Sequence, residues 1–351
     1  MSRAVAWASG THGTYLRTVD GGKTWVAAQV PGAEALDFRG VAAFSADEAF
    51  LMSSGPGEAS RIYHTADAGK SWQTQFTNKN PKGFFDSIAF WDAKHGVVVG
   101  DPVADEAGKL KFEVLLTDDG ETWKAVAPSK LPEAMEGEGA FAASNSCIAI
   151  LSDAWWTTST ANGQSRLDPN LWFATGGKVA RVFHSGDGGE TWTVFDTPVR
   201  HGPESAGIFS IAFRDATDGV IAGGDYKHPN DDGPNLAFTH DGGKTWDLSE
   251  LHPQAYFSAV AYDHQVNVEA RRQRAEEIKA ELKGKNERVK GDLPQRLFVV
   301  GQDFVFDFRP PSNPRRVSAK KKLGMKFNAV SAFPEGGALV VGPKGTIAFL
   351  P

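Results

Sequence analysis

A seven-bladed β-propeller of four-stranded antiparallel blades is the fold the sequence predicts. Three observations predict it: an octapeptide that recurs five times, its spacing, and the strand-like runs between its copies. The copies run from Thr18 to Trp25, Thr65 to Trp72, Leu116 to Trp123, Ser185 to Trp192 and Thr239 to Trp246. Their pattern is Ser/Thr-x-Asp-x-Gly-x-Thr/Ser-Trp, from which only Leu116 departs. Successive tryptophans lie 47, 51, 69 and 54 residues apart, a period that holds one four-stranded sheet per repeat.

Each octapeptide reads as the tip of a hairpin. Asp20, Asp67, Asp118, Asp187 and Asp241 stand among glycines that supply positive backbone dihedrals, and their carboxylates can accept hydrogen bonds from turn N–H groups and hydroxyls. Trp25, Trp72, Trp123, Trp192 and Trp246 then open the outer strands, where an indole buries about 150–250 Å² against a neighbouring blade. All five copies are therefore read as structural. A phosphate loop would need glycine where Arg17, His64 and Phe238 stand, and no copy has the twelve-residue ligand spacing of a calcium-binding EF-hand.

Between the octapeptides, inner strands are expected at 41–44, 87–90, 140–143, 210–213, 258–261 and 329–333, and second strands at 49–52, 96–99, 147–151, 219–222, 297–300 and 338–341. The stretch 4–25 adds a seventh repeat that begins at its second strand, and the last repeat stops after its third. Two strands are thus missing at one seam of a single domain spanning 1–351. The expectation is a shortened N-terminus, with export to the periplasm or outside if the native start lies upstream of Met1, and a cytoplasmic location otherwise. Residues 266–292, rich in Ala, Glu, Lys and Leu, interrupt the sixth repeat and read as an exposed helix. Arg309, Arg315, Arg316 and Lys320–Lys322 form a local basic patch where that repeat lacks its octapeptide.

Composition narrows the function classes. The net charge of −6 argues against nucleic-acid binding, no apolar run is long enough to insert into a membrane, and the single cysteine, Cys147, excludes an intrachain disulfide and a cysteine-based metal site. No Gly-x-Ser-x-Gly elbow and no His-Glu-x-x-His metal motif occur. No cofactor and no metal are expected. The partner is expected to be a protein, a peptide or a carbohydrate, taken by a monomer.

The octapeptides resemble the Asp-box, or bacterial neuraminidase, repeat, and their Asp-Gly-Gly-Lys/Glu-Thr-Trp variants look most like the photosystem II assembly and stability factor-like propellers. The resemblance covers residues 4–260 and, more loosely, 290–350. It implies a seven-bladed fold, frequent export and, in photosynthetic members, an assembly role for a membrane protein. The same repeat occurs in sialidases, so it does not by itself fix function.

In a propeller, the loops before inner strands and after second strands share the channel face, opposite the Asp boxes. Here they bring Arg39, Asp86 and Glu138 together with Ser54, Asp101, Asp153, Asp225 and Lys344, accompanied by Phe85, Trp155, Trp156, Tyr226 and Phe257. These form the candidate ligand-binding rim, with Arg39 or Lys344 as anchor for an anionic group. A sialidase would need three converging arginines and a Tyr/Glu pair, and Tyr226 and Tyr256 find no such arginines. A glycosidase would pair two carboxylates, as Asp101 with Asp153 or Asp225. His228, beside Asp225, Asp231 and Asp232, reads as a solvated loop rather than a cation site. The sequence therefore points to a non-catalytic binding or assembly scaffold with no catalytic residue assigned, and to a glycoside hydrolase or sialidase-like enzyme as the alternative.

Overall fold

The computed structural model describes residues 4–151, 159–161, 164–166, 169–249, 255–262, 296–308, 320–333 and 337–350. The expected helix at 266–292, the arginines at 309, 315 and 316, and Asp153, Trp155 and Trp156 lie outside these residues.

The strands follow one another as short antiparallel sheets. The N-terminal sheet is β1 (Ala6–Ser9), β2 (Thr14–Thr18) and β3 (Val26–Gln29). Next come β4 (Phe38–Ala43), β5 (Ala49–Ser53), β6 (Arg61–Thr65) and β7 (Gln73–Thr77). The third sheet is β8 (Phe85–Phe90), β9 (Gly96–Ala104), β10 (Leu110–Thr117) and β11 (Lys124–Ala125), followed by the short β12 (Glu138–Gly139). The fourth begins at β13 (Ile148–Leu151), passes the hairpin β14 (Ser159–Ala161) and β15 (Gln164–Arg166), and resumes at β16 (Asn170–Ala174). After β17 (Gly176–Gly177) it is completed by β18 (Arg181–Ser185) and β19 (Thr193–Asp196). The fifth is β20 (Ala206–Phe213), β21 (Gly219–Asp225), β22 (Leu236–Thr239) and β23 (Asp247–Leu248). Two three-stranded sheets close the series: β24 (Phe257–Tyr262), β25 (Leu297–Phe308) and β26 (Lys320–Lys326), then β27 (Ala329–Ala332), β28 (Ala338–Gly342) and β29 (Thr346–Leu350).

The second strands explain how the sheets stack. They are continuous apolar runs, the pattern of a strand buried on both faces. Alternate residues go to opposite neighbours: Val98 packs with Phe50 and Ile88, whereas Val97 and Val99 pack with Phe173 and Phe183. Ala49 and Leu51 face Trp7 and Tyr15 of the N-terminal sheet, and Phe298 and Val300 face Ala338 and Val340. The apolar core is thus divided into layers between successive sheets, as radial packing requires. Side chains near the inner strands connect the blades further. Asn145 binds the backbone N–H and C=O of Ile88, Ser210 accepts from the Val260 N–H at 2.9 Å, and Ser258 donates to the Phe327 carbonyl at 2.8 Å.

This is an all-β propeller, with two corrections to the expected form. Inner strands number six among the described residues, β4, β8, β13, β20, β24 and β27, so the structure shows six blades rather than seven. The N-terminal sheet has an Asp-box tip, which needs only a third and an outer strand, but no inner strand among the described residues, so it is not counted as a seventh blade. The blades also contribute three or four strands each instead of four throughout, and the fifth sheet reaches six strands with two short additions. The second correction concerns the longest repeat. Residues 140–143, expected as an inner strand, form no strand; Ile148–Leu151, within the run expected as a second strand, forms the inner strand β13, and the second strand is β16. The run Cys147-Ile-Ala-Ile-Leu151 is as apolar as a second strand, and the insertion after it hid the equally apolar Asn170-Leu-Trp-Phe-Ala174.

The Asp-box tips are hydrogen-bonded alike. Asp20 accepts from the Thr18 hydroxyl at 2.8 Å, the Thr24 N–H at 3.0 Å and the Thr24 hydroxyl at 2.6 Å, while the Thr18 oxygen accepts from the Gly22 N–H. Asp67, Asp187 and Asp241 repeat the arrangement. In the third tip Asp119, not Asp118, takes the position, bonded to Thr117 and Thr122, so that box is one residue shorter. The closing hydroxyl is the main reason the carboxyls of Asp20 and Asp67 fall to about 2.

Candidate functional site

Four inner strands carry a β-bulge at the same place, near their first residues. The register skips Arg39 between Phe38 and Gly40, Asp86 between Phe85 and Ser87, Phe209 between Ile208 and Ser210, and Ser258 between Phe257 and Ala259. A bulge leaves one residue unpaired and re-aims its side chain, and such bulges concentrate beside functional sites. The pairings Phe38↔Ser53, Phe85↔Gly100 and Ala206↔Asp225 bring the ends of the second strands to the same edge, so Ser54, Asp101 and Asp225 accompany the bulges.

Part of this edge is roofed. β12 pairs with β17, and β17 pairs with β20 at Gly176↔Gly207, so two short strands from different loops add to the inner side of the fifth sheet. Their approach requires glycine: a Cβ on Gly207 would stand 2.3 Å from the Gly176 Cα, and Gly177, at φ +89°, would meet the Gly137 carbonyl at 2.2 Å. Glu138, placed before an inner strand by the sequence, is instead the first residue of β12. Its side chain is buried, and it accepts from Thr175 Oγ1 at 2.7 Å, Arg181 Nε at 3.0 Å, Arg181 Nη2 and the Met135 N–H at 2.8 Å. All its acceptor positions face the protein, which makes it the clasp of the roof rather than a ligand contact.

The third sheet holds the carboxyl groups whose pKa is raised. Asp86 is buried, its Oδ2 has no hydrogen-bond partner among the described residues, and burial raises its pKa well above the ordinary carboxyl value. The nearby Asp101 charge adds to this shift, and Arg39 opposes it. Asp101 is pushed up to about 6 by burial, although its Oδ1 accepts from the Ala140 N–H at 3.0 Å. Burial also raises Glu113, which accepts from Asn78 Nδ2 at 2.8 Å. A folded carboxyl with a raised pKa keeps a proton that the unfolded chain has lost, so stability falls as pH rises from about 4 to about 6. Asp101→Asn is therefore expected to flatten that part of the stability profile and to raise the melting temperature at pH 7, with little change at pH 4. Thermal denaturation across this range checks it.

The remaining rim residues differ in character. Arg39 is exposed and pairs with Asp37 at 2.9 Å. Asp225 is buried; burial opposes its ionisation, but bonds from His228, Ser205 and the Lys227 N–H outweigh that and hold its pKa at about 2. The His228 loop is thereby tied to Asp225. Ser54 is buried and its Oγ has no hydrogen-bond partner among the described residues, and Lys344 stands exposed in a turn at φ 58°. Tyr226 is 45 % exposed and sits edge-on to Phe209, which stacks on Phe141 at 3.8 Å and meets Tyr256 at 4.7 Å. Sequence reading missed Phe209, Phe141 and Glu113. The signal for Phe209 was its equivalence in the repeat to Arg39 and Asp86. Among the described residues, no group of three or more His, Cys, Asp or Glu is placed to hold a metal, and no helix is long and apolar enough to cross a membrane.

Comparison with known proteins bears on this arrangement. Residues 2–83 match the family model of Photosynthesis system II assembly factor YCF48. That stretch contains the N-terminal sheet, β4 to β7 and the first two Asp boxes, so the resemblance carried by those boxes is shown. Two solved structures share the fold. YCF48 bound to D1 peptide is 15% identical, covers 99% of this chain and 90% of its own, and has a TM-score of 0.59. YCF48 from Cyanidioschyzon merolae is 18% identical, covers 99% and 91%, and has a TM-score of 0.52. A comparison with curated proteins finds no match.

Proposed function

We propose that this chain is a non-catalytic binding scaffold of the photosystem II assembly factor-like type, which takes an extended protein segment on its channel face. The observation that carries this reading is the division of labour at the bulged edge. Glu138 and Asp225 spend their oxygens on internal donors, whereas the exposed groups include a guanidinium, Arg39, an ammonium, Lys344, and an aromatic ring, Tyr226, backed by Phe209, Phe141 and Tyr256. Arginine and tyrosine are the side chains that most often anchor protein partners, whereas an acid–base catalyst needs a carboxyl within reach of its substrate. YCF48, which shares the fold, is a protein that has been seen with a D1 peptide, and the peptide class of ligand comes to this chain by that likeness.

Fluorescence anisotropy with a labelled D1 peptide tests the proposal. The chain is expected to bind it, and Tyr226→Ala and Arg39→Ala are each expected to weaken binding by about tenfold, or about 1.4 kcal/mol. Absence of binding together with hydrolysis of a glycoside substrate would overturn the reading.

A further inference from the structure

Two carboxyls on the channel face have oxygens to spare. Asp101, on β9, is half-buried, and among the described residues its side chain accepts only the Ala140 N–H, at Oδ1. The roof strand β12 comes so close that a Cβ on Gly139 would stand 2.8 Å from that same oxygen, so Oδ1 is held against the roof and Oδ2 is left over. The nearby Asp86, on β8, is 1 % exposed, and its Oδ2 has no hydrogen-bond partner among the described residues. A third such group, of different chemistry, adjoins them. Ser54 is 6 % exposed with its Oγ unpartnered among the described residues. Its N–H bonds the Asp37 carbonyl, and Gly55 after it is tied through Ser60 Oγ to the Phe85 N–H, so Ser54 lies between the bulges of Arg39 and Asp86. Buried polar atoms are costly when unpaired, and three of them side by side form a cradle of acceptors.

The charges around this cradle leave it negative. Arg39 of β4 is near enough to favour the ionised form of Asp86, but its own bond goes to Asp37 at 2.9 Å. Glu113 of β10 also faces Asp86 and is bonded to Asn78, and Cys147, ahead of β13, is kept as a neutral thiol by burial. An apolar wall stands alongside: Phe141 follows Ala140 in the chain and stacks on Phe209 at 3.8 Å.

We propose that Asp101, Asp86 and Ser54 receive the guanidinium of an arginine side chain from the partner segment, with its methylene stem along the Phe141–Phe209 stack. The inference rests on the reading of the channel face as a site for a protein segment and adds the side chain that the site selects. A guanidinium brings donors only, in a planar fork that two carboxyls and a hydroxyl can satisfy, and its stem gains from apolar contact. The pair needs Asp101 ionised. With burial placing that ionisation at about 6, binding weakens about tenfold from pH 7 to pH 5.

Thermal-shift titration with butylguanidinium and with its neutral counterpart butylurea, at constant ionic strength, tests this. Butylguanidinium is expected to raise the melting temperature at pH 7 and butylurea to leave it unchanged, with the apparent affinity for the cation about tenfold lower at pH 5. Asp101→Asn is expected to weaken the binding by at least about tenfold and to remove its pH dependence, and Asp86→Leu to weaken it by about tenfold. Arg39→Ala, which weakens the D1 peptide, is expected to keep the response to butylguanidinium. Equal responses to the two compounds overturn the proposal, as does a response to the cation that survives Asp101→Asn. Failure of butylguanidinium while the D1 peptide still binds removes this inference and leaves the peptide reading in place; binding of butylguanidinium without the peptide does the reverse.

Discussion

Glu138→Ala is expected to cost about 3–5 kcal/mol of folding stability, the penalty for leaving a buried charge without its partner. Arg181 is the charge left behind. Its side chain is 7 % exposed, and only its bond to the Glu133 carbonyl at 3.0 Å and its position over the Phe183 ring at 5.2 Å would remain. Thr175 Oγ1 and the Met135 N–H would lose an acceptor as well. Replacing both charges, as in the double variant E138L/R181M, is expected to cost less than the single change, because an apolar pair leaves no desolvated ion. Chemical denaturation of the three proteins checks the ordering. The roof of β12 and β17 depends on this clasp, so Glu138→Ala is also expected to weaken peptide binding although Glu138 touches no ligand.

Trp172→Ala is expected to be comparably severe, at about 3–5 kcal/mol. Trp172 is fully buried on β16, lies 3.7 Å from the Phe213 ring of the next blade in a stacked arrangement, and donates its indole N–H to the Gly242 carbonyl at 2.9 Å. One side chain thus joins the fourth sheet both to the inner strand of the fifth and to the fifth sheet's Asp-box tip. Trp172→Phe keeps most of the packing but leaves the Gly242 carbonyl without its donor, and its loss is expected to fall between those of the parent and the alanine variant. Thermal denaturation of the series separates the packing from the hydrogen bond.

These two residues also mark the limit of what the sequence disclosed. The octapeptides were legible because each is local: the Thr18, Asp20 and Thr24 contacts fall within seven residues. The second strands were legible because burial on both faces leaves an unbroken apolar run, as in Ala49-Phe-Leu-Met52. Trp172 was not, because its partners lie 41 and 70 residues away and its own strand follows a long insertion. Glu138 stood out as a rim carboxylate, but Arg181, 43 residues on, decides what that carboxylate does. The choice of Asp119 over Asp118 turned on a one-residue shortening that a fixed spacing cannot register. Arg39 and Asp86 were found from their position ahead of the inner strands, yet the bulge that sets them apart depends on register between strands, which no single strand encodes.

Amide hydrogen exchange of the chain with and without the labelled D1 peptide tests most directly whether the bulged edge is where a partner sits. Slowed exchange in segments 37–40, 84–88, 206–210 and 225–228, with the Asp-box turns at 18–24, 65–71 and 239–245 unchanged, is the predicted result. Protection confined to the Asp-box turns, with the bulged segments unaffected, would contradict it.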